Sequence, residues 1–205
     1  MEEIKTLSLT DPGYPARLKE INNPPRTLYY QGSLDQEGYY LSVIGSRDCS
    51  EESKRLLSAI IKDLDEKVII ISGLAKGIDA QAHAAAIGCG KKTVAVLPSG
   101  FERIYPKENI ALAKDIISSE GLLLSEYLPQ AKPTRFSFIQ RNRLVAGMAE
   151  AVLVVEAELK SGTMSTVSFA KKYGKKIYAV PGSEGCDDLI KNGAIKVSEA
   201  KDICL

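Results

Sequence analysis

From about Tyr39 onward, short apolar runs rich in β-branched residues alternate with stretches of helical spacing. The runs cover residues 39–45 (YYLSVIG), 67–72 (KVIIIS), 92–97 (KTVAVL), 121–126 (GLLLSE), 151–157 (AVLVVEA) and 176–182 (KIYAVPG), with a short IKV at 195–197. They lack strict polar alternation, which is the pattern of strands buried on both faces of a parallel sheet. Between the first two runs, Leu56, Leu57, Ile60, Ile61 and Leu64 recur at three- and four-residue intervals. Ser50 is a good N-cap for that helix, and Glu51 and Glu52 suit its first turn. Further helices are expected over IDAQAHAAAIG, ending at Gly88, over KENIALAKDIISSEG, ending at Gly121, and over TMSTVSFAKKYG, ending at Gly174. Strand and helix in alternation predict an α/β fold with a doubly wound, mostly parallel sheet across residues 39–205.

Residues 1–38 differ. They hold four of the nine prolines (Pro12, Pro15, Pro24, Pro25) and one short helix candidate at 15–21. They are expected to form a short N-terminal arm packed on the main domain, because Leu18, Ile21, Leu28, Tyr29 and Tyr30 need burial.

Composition narrows the function classes. The chain has 205 residues, 44% hydrophobic and 26% charged, with 27 basic and 26 acidic side chains. A net charge of +1 means that any basic surface must be local. No apolar run approaches the ~18 residues of a membrane span, and the N-terminus has no signal-peptide pattern, so a soluble cytoplasmic protein is expected. Cys49, Cys89, Cys186 and Cys204 are scattered and form no CxxC pair, so neither a metal nor a disulfide framework is expected.

Candidate chemistry lies at the strand ends, because ligands of open α/β sheets bind beyond the carboxyl ends of the strands. Those ends carry Gly45-Ser46-Arg47, Ser72-Gly73-Leu74, Pro98-Ser99-Gly100, Ser161-Gly162-Thr163 and Pro181-Gly182-Ser183. Tight turns use glycine and serine anyway, so one such loop says little. Five of them on one edge, with Arg47 beside them, predict an anion-binding rim of backbone N–H groups and hydroxyls. Neither GxGxxG nor GxxxxGK[ST] is present, so the dinucleotide and P-loop fingerprints are absent.

The segment KPTRFSFIQRNR (132–143) carries Lys132, Arg135, Arg141 and Arg143 with no acidic residue, and interleaves Phe136 and Phe138. Cations for phosphates and rings for unstacked bases are what single-stranded nucleic acid requires. The competing account makes the phenylalanines core residues and pairs the arginines with Glu126 and Glu150. A second lysine-rich stretch, 159–183, is better explained by cations at a helix C-terminus. Asp79 and His83 share a helix face, and His83 is the only histidine. With no partner nucleophile beside them, they are expected to be structural, and no catalytic residue is assigned.

The motifs taken together resemble the DprA (Smf) family of DNA-processing proteins. The matching pieces are YPARLKEINNPPRTLYYQG (14–32), VIGSR (43–47), ISGLAKGIDAQAH (71–83), TVAVLPSGFERIYPKEN (93–109), LLSEY (123–127), RNRLVAG (141–147), VLVVEAELKSGTMSTVSFA (152–170), AVPG (179–182) and LIKNGA (189–194). They cover nearly the whole chain. The resemblance implies an extended Rossmann-like domain and a non-enzymatic role without a cofactor. Its members bind single-stranded DNA, load the recombinase RecA onto it in natural transformation and recombination, and usually form homodimers. Carried over residue by residue, it implies DNA contacts at Arg47, Lys107, Arg141, Asn142, Arg143 and Phe138. It places phosphate-cradling loops at Gly45, Gly73, Ser161, Gly162 and Thr163. From the residues themselves, Ser46 and Gly182 join those loops, and Lys132, Arg135 and Phe136 join the DNA-binding set. Ile139 stands where the family has proline before RNR, and Asp187 and Asp188 add negative charge after AVPG. The alternative is a small-nucleotide-binding or nucleotide-hydrolysing protein of the lysine-decarboxylase-like Rossmann group. The PGGxGTxxE signature of those hydrolases is absent.

Overall fold

A computed structural model describes residues 3–34 and 37–205. Nine strands form one sheet in the order β1-β2-β6-β5-β4-β3-β7-β8-β9. The parallel part begins in the middle, at β3 (Tyr39–Gly45). It winds outward through β4 (Val68–Ser72), β5 (Thr93–Val96) and β6 (Leu122–Ser125). The chain then crosses back to β7 (Ala151–Val155) on the other flank of β3 and continues through β8 (Lys176–Ala179) to β9 (Ile195–Lys196). β3 and β7 therefore flank the point where the winding direction reverses.

The N-terminal segment does more than lie on this sheet. β1 (Lys5–Ser8) pairs antiparallel with β2 (Thr27–Gly32), and β2 pairs antiparallel with β6, so the segment extends the sheet by two strands. Between them α1 (Ala16–Lys19) buries Leu18 against α5 (Arg135–Met148).

Both faces are covered, which is why the strands are apolar throughout. Every residue of β4, β5, β6 and β7 is buried. On one face, Ile69, Ile71, Val94, Leu124 and Val152 pack beneath α5, α6 (Gly162–Lys172) and α7 (Glu184–Lys191). On the other, Leu41, Val43, Ile70 and Leu153 meet α2 (Glu51–Asp63) and α3 (Ile78–Gly88), while Ala95 and Leu123 meet α4 (Ile110–Ser118). Consecutive strand residues thus serve opposite layers.

Two helices were not legible as such. α5 runs through the basic segment, capped by Thr134, whose Oγ1 accepts from the Ser137 N–H at 3.0 Å. α7 covers residues for which no helix was expected. The helix expected over 107–121 is a 3₁₀ turn at Lys107–Asn109 leading into α4.

Candidate nucleic-acid interface

A cleft of about 420 Å³ opens at the carboxyl ends of β3 and β7, where the winding reverses. Three loops build it. After β3 come Gly45, Ser46, Arg47 and Asp48; after β4 come Gly73 and Ala75; after β7 come Glu158 and the start of α6. The loops are tied to one another. Ser46 N–H donates to Glu156 O at 2.7 Å, Ile78 N–H donates to Ser46 O at 3.0 Å, and Thr163 Oγ1 donates to Gly45 O at 2.9 Å. A Cβ at Gly45 would run into the Val155 carbonyl, so glycine is needed for β3 and β7 to leave the sheet side by side.

The helix ends around the cleft are not equivalent. α2 is closed: Ser50 caps it and Glu156 accepts from Ser50 N–H and Oγ, with Glu156 Oε2 at 2.9 and 2.8 Å. α3 carries its own anion, because Asp79 in its first turn accepts from Gly73 N–H at 3.1 Å and Ala75 N–H at 3.3 Å. Burial pushes the Asp79 carboxyl above the usual range, and Arg141 beside it opposes that shift. α6 has no side-chain cap at Ser161, so its positive end faces the cleft through Gly162 and Thr163. That end is where an anion gains most from the helix dipole.

Two arginines line the cleft. Arg141 is almost wholly buried, yet it lines the cleft from below. Its Nη1 donates to Gly73 O and to Val96 O, the latter at 2.7 Å, and its Nε donates to Asn142 Oδ1 at 3.1 Å. A Cβ at Gly73 would strike this guanidinium, which explains the glycine there. Burial lowers the Arg141 pKa to about 10, with Asp79 working in the other direction, so it remains a cation at neutral pH. Arg47 lies at the exposed rim, its guanidinium 5.5 Å from the centroid of the Phe138 ring. Asn142 is held by its amide, which donates to Ser165 Oγ at 2.7 Å. Asp48 and Glu158 also line the cleft and bias an anion away from their side of it.

The remaining expected residues fall into two groups. Lys132, Arg135 and Phe136 are exposed where the chain enters α5, Phe136 to 68%, and Lys107 is exposed on the 3₁₀ turn. None of the four lines the cleft. Arg143 and Gly182 lie elsewhere. Arg143 is buried and donates to Glu126 in an ion pair, as the structural account of the basic segment had it. Gly182 is outside the cleft at φ +112°, and its N–H donates to Asp187 Oδ1 at 3.0 Å. That bond gives Asp187 a structural role.

His83 is fully buried, with Nδ1 2.7 Å from Thr93 Oγ1. Thr93 gives its own proton to Ile70 O, so Nδ1 is the donor to Thr93 Oγ1. Burial, and Arg141 nearby, hold its pKa down to about 3. This histidine does not reach the cleft.

Sequence reasoning missed Tyr105, Ser165 and Lys76. A second chamber of about 190 Å³ adjoins the first, sharing Arg47, Gly73, Ala75 and Phe138 and adding Lys76, Tyr105 and Pro106. Tyr105 meets Phe138 edge to face, with centroids 5.5 Å apart. The available signal was an aromatic residue in the loop beyond the carboxyl end of β5.

The sequence profile of the family described as DNA recombination-mediator protein A matches residues 5–205. The DNA processing protein DprA of Streptococcus pneumoniae is 39% identical over 209 residues, spanning 98% of this chain and 74% of that protein. That of Bacillus subtilis is 36% identical over 98% of this chain and 70% of its own length. The X-ray structure of the S. pneumoniae protein superposes with a TM-score of 0.93 over 98% of this chain and 73% of that one. A structure of Helicobacter pylori DprA, described for its single-stranded DNA binding mode, superposes at 0.89 with 30% identity, over 98% of this chain and 93% of that one. Sequence, topology and the reversal-point cleft agree, and the chain belongs to the DprA (Smf) family of DNA recombination-mediator proteins.

Proposed function

We propose that this protein binds single-stranded DNA along the carboxyl edge of its sheet and acts there as a recombination mediator rather than an enzyme. The observation that carries the reading is the uncapped start of α6 facing Arg141 and Arg47 across one cleft, with Phe138 at its wall. A phosphate between them meets backbone N–H groups, a helix dipole and two guanidinium groups, which suits a phosphodiester better than a neutral ligand. Gly45, Ser46, Gly73, Ser161, Gly162 and Thr163 form the cradle, and Asn142 orients Arg141. Exposed Lys132, Arg135 and Lys107 continue the positive track outward, and Phe136 offers an open ring beside it. Contacts of this kind engage the backbone and base faces, so binding is sequence-tolerant.

The buried, neutral His83 and the capping role of Asp79 support a non-catalytic site. Loading of RecA in the cytoplasm and a homodimeric state belong to the same reading through the family relationship. The test is a titration of labelled oligo-dT beside a panel of mononucleotides. Tight, salt-sensitive binding of the oligomer is expected, with log affinity falling by ~0.7 per log unit of salt for each phosphate contacted. Binding of mononucleotides in preference to the oligomer would replace this reading with the small-nucleotide one.

A further inference from the structure

Arg47 reaches the cleft rim from the loop that joins β3 to α2, residues 46–50. Among the described residues, no ion pair includes Arg47, and its ring contact is with Phe138. The place of its guanidinium therefore depends on how the loop backbone is held. One residue, Glu156, holds both ends. At the start, Ser46 N–H donates to Glu156 O at 2.7 Å. At the end, Ser50 N–H and Oγ donate to Glu156 Oε2 at 2.9 and 2.8 Å, and the same N–H lies 3.1 Å from Oε1. Ser46 O has a second tie, from Ile78 N–H at 3.0 Å, whereas the other bonds of Ser50 are local, to the first turn of α2.

The backbone of Glu156 is left-handed, with φ +52°. A side chain with a Cβ is disfavoured there and glycine is not. A glutamate at a position that suits glycine points to a use for its carboxylate. Burial alone would raise its pKa, but hydrogen bonds from Ser53 and Ser50 bring it below the usual carboxylate range. The acceptor is thus an anion at neutral pH, and the bonds from Ser50 are charge-assisted. Glu156 does not line the cleft, so it acts on a bound strand through the loop and not by touching it.

We propose that Glu156 is a positioning residue for DNA binding, which holds the two ends of the 46–50 loop so that Arg47 stands at the cleft rim. This rests on the single-stranded DNA reading above. The sign of its effect sets it apart from simple electrostatics. Removing a negative charge beside an anion site strengthens binding where charge alone acts, whereas removing a clamp weakens it.

The test is a double-mutant cycle on oligo-dT affinity at fixed salt, with Glu156→Gly and Arg47→Ala alone and combined. Glycine accepts the left-handed backbone, so the variant removes the carboxylate without adding strain, and melting curves confirm that each variant folds. Glu156→Gly is expected to lower affinity about fivefold by itself and less than about twofold in the Arg47→Ala background, a coupling of the size found within one hydrogen-bond network. Glu156→Gln, which loses the charge but keeps one acceptor, should fall between Glu156→Gly and wild type. If Glu156→Gly does not fold, Glu156→Gln carries the same cycle and is judged by the same outcomes. Wild-type or tighter binding by Glu156→Gly, or an equal loss with and without Arg47, overturns the positioning role while leaving the DNA reading in place. Absence of oligo-dT binding by the wild type overturns both.

Discussion

Arg141 and Arg143 stand two residues apart on α5, and the fold uses them in opposite ways. Two residues turn a helix by about 200°, so their side chains leave on opposite sides. Arg141 runs under the cleft, anchored on the carbonyls of Gly73 and Val96. Arg143 points away and closes on Glu126, with only 5% and 14% of the two side chains exposed. The chemistry of the side chain is the same in both cases. Its surroundings make one part of the cleft wall and the other a strut that fixes α5 to the end of β6. A basic motif is therefore not a uniform binding surface, and its members should separate under mutation.

The largest effect is expected at the strut. Arg143→Ala leaves Glu126 buried without its cation and should cost about 3–5 kcal/mol of stability. That corresponds to a fall in melting temperature on the order of 10 °C for a chain of this size. A double change, Arg143→Met with Glu126→Leu, should recover most of the loss in urea denaturation. Unchanged stability in Arg143→Ala would show that the pair is not a strut.

The opposite signature is expected at the cleft. Arg47→Ala should leave melting nearly intact while oligo-dT affinity drops about tenfold or more, since a charge-assisted contact contributes about 1.5–3 kcal/mol. Arg47→Lys should restore only part of it, because lysine lacks the bidentate fork. Fluorescence anisotropy at fixed salt reads both variants, and wild-type affinity in Arg47→Ala would remove this residue from the site.

His83 adds a pH-dependent contribution to stability that belongs to neither the strut nor the cleft. Its native pKa is about 3, well below the ordinary 6.5, so between these values the unfolded chain binds a proton that the native one does not. Its contribution is present above about pH 6.5 and is lost as pH falls toward 3, at up to about 1.4 kcal/mol per unit. Asp79 and Glu126, whose carboxyls burial pushes upward, work against this trend. The difference in stability between wild type and His83→Gln across pH 7 to 4 isolates the histidine. A flat difference would place a proton on the ring in the native state.

The smallest effect belongs to the outer track. Lys107→Ala should lower the salt slope by at most ~0.7, the share of one phosphate contact on a single strand. Melting should not move, because Lys107 is solvent-exposed.

How far the chain alone could be read follows from the same physics. The strands of the parallel sheet were legible because both faces are covered, which leaves continuous apolar runs such as Val68–Ser72 and Ala151–Val155. The α2 cap at Ser50 was legible because capping is a local interaction, and its side chain accepts from Ser53 N–H at 3.1 Å as the pattern predicted. The loops that line the cleft were legible because glycine and hydroxyl residues collect at strand ends in this architecture.

Tertiary structure decided what a linear pattern does not encode. α5 was hidden because its buried residues include Arg141 and Arg143, and a buried arginine looks like a surface one until its carbonyl or carboxylate partners are known. β1 and β2 were hidden because β2 is placed by a distant partner, β6, and β1 is an edge strand that pairs only with β2. The pairing of Phe138 with Arg47 and with Tyr105 joins residues far apart in the chain. Local sequence thus set the elements and the supply of cations and rings. Which cations line the cleft, and which rings stand beside them, was set by long-range packing, because burial and partner choice are properties of the folded whole.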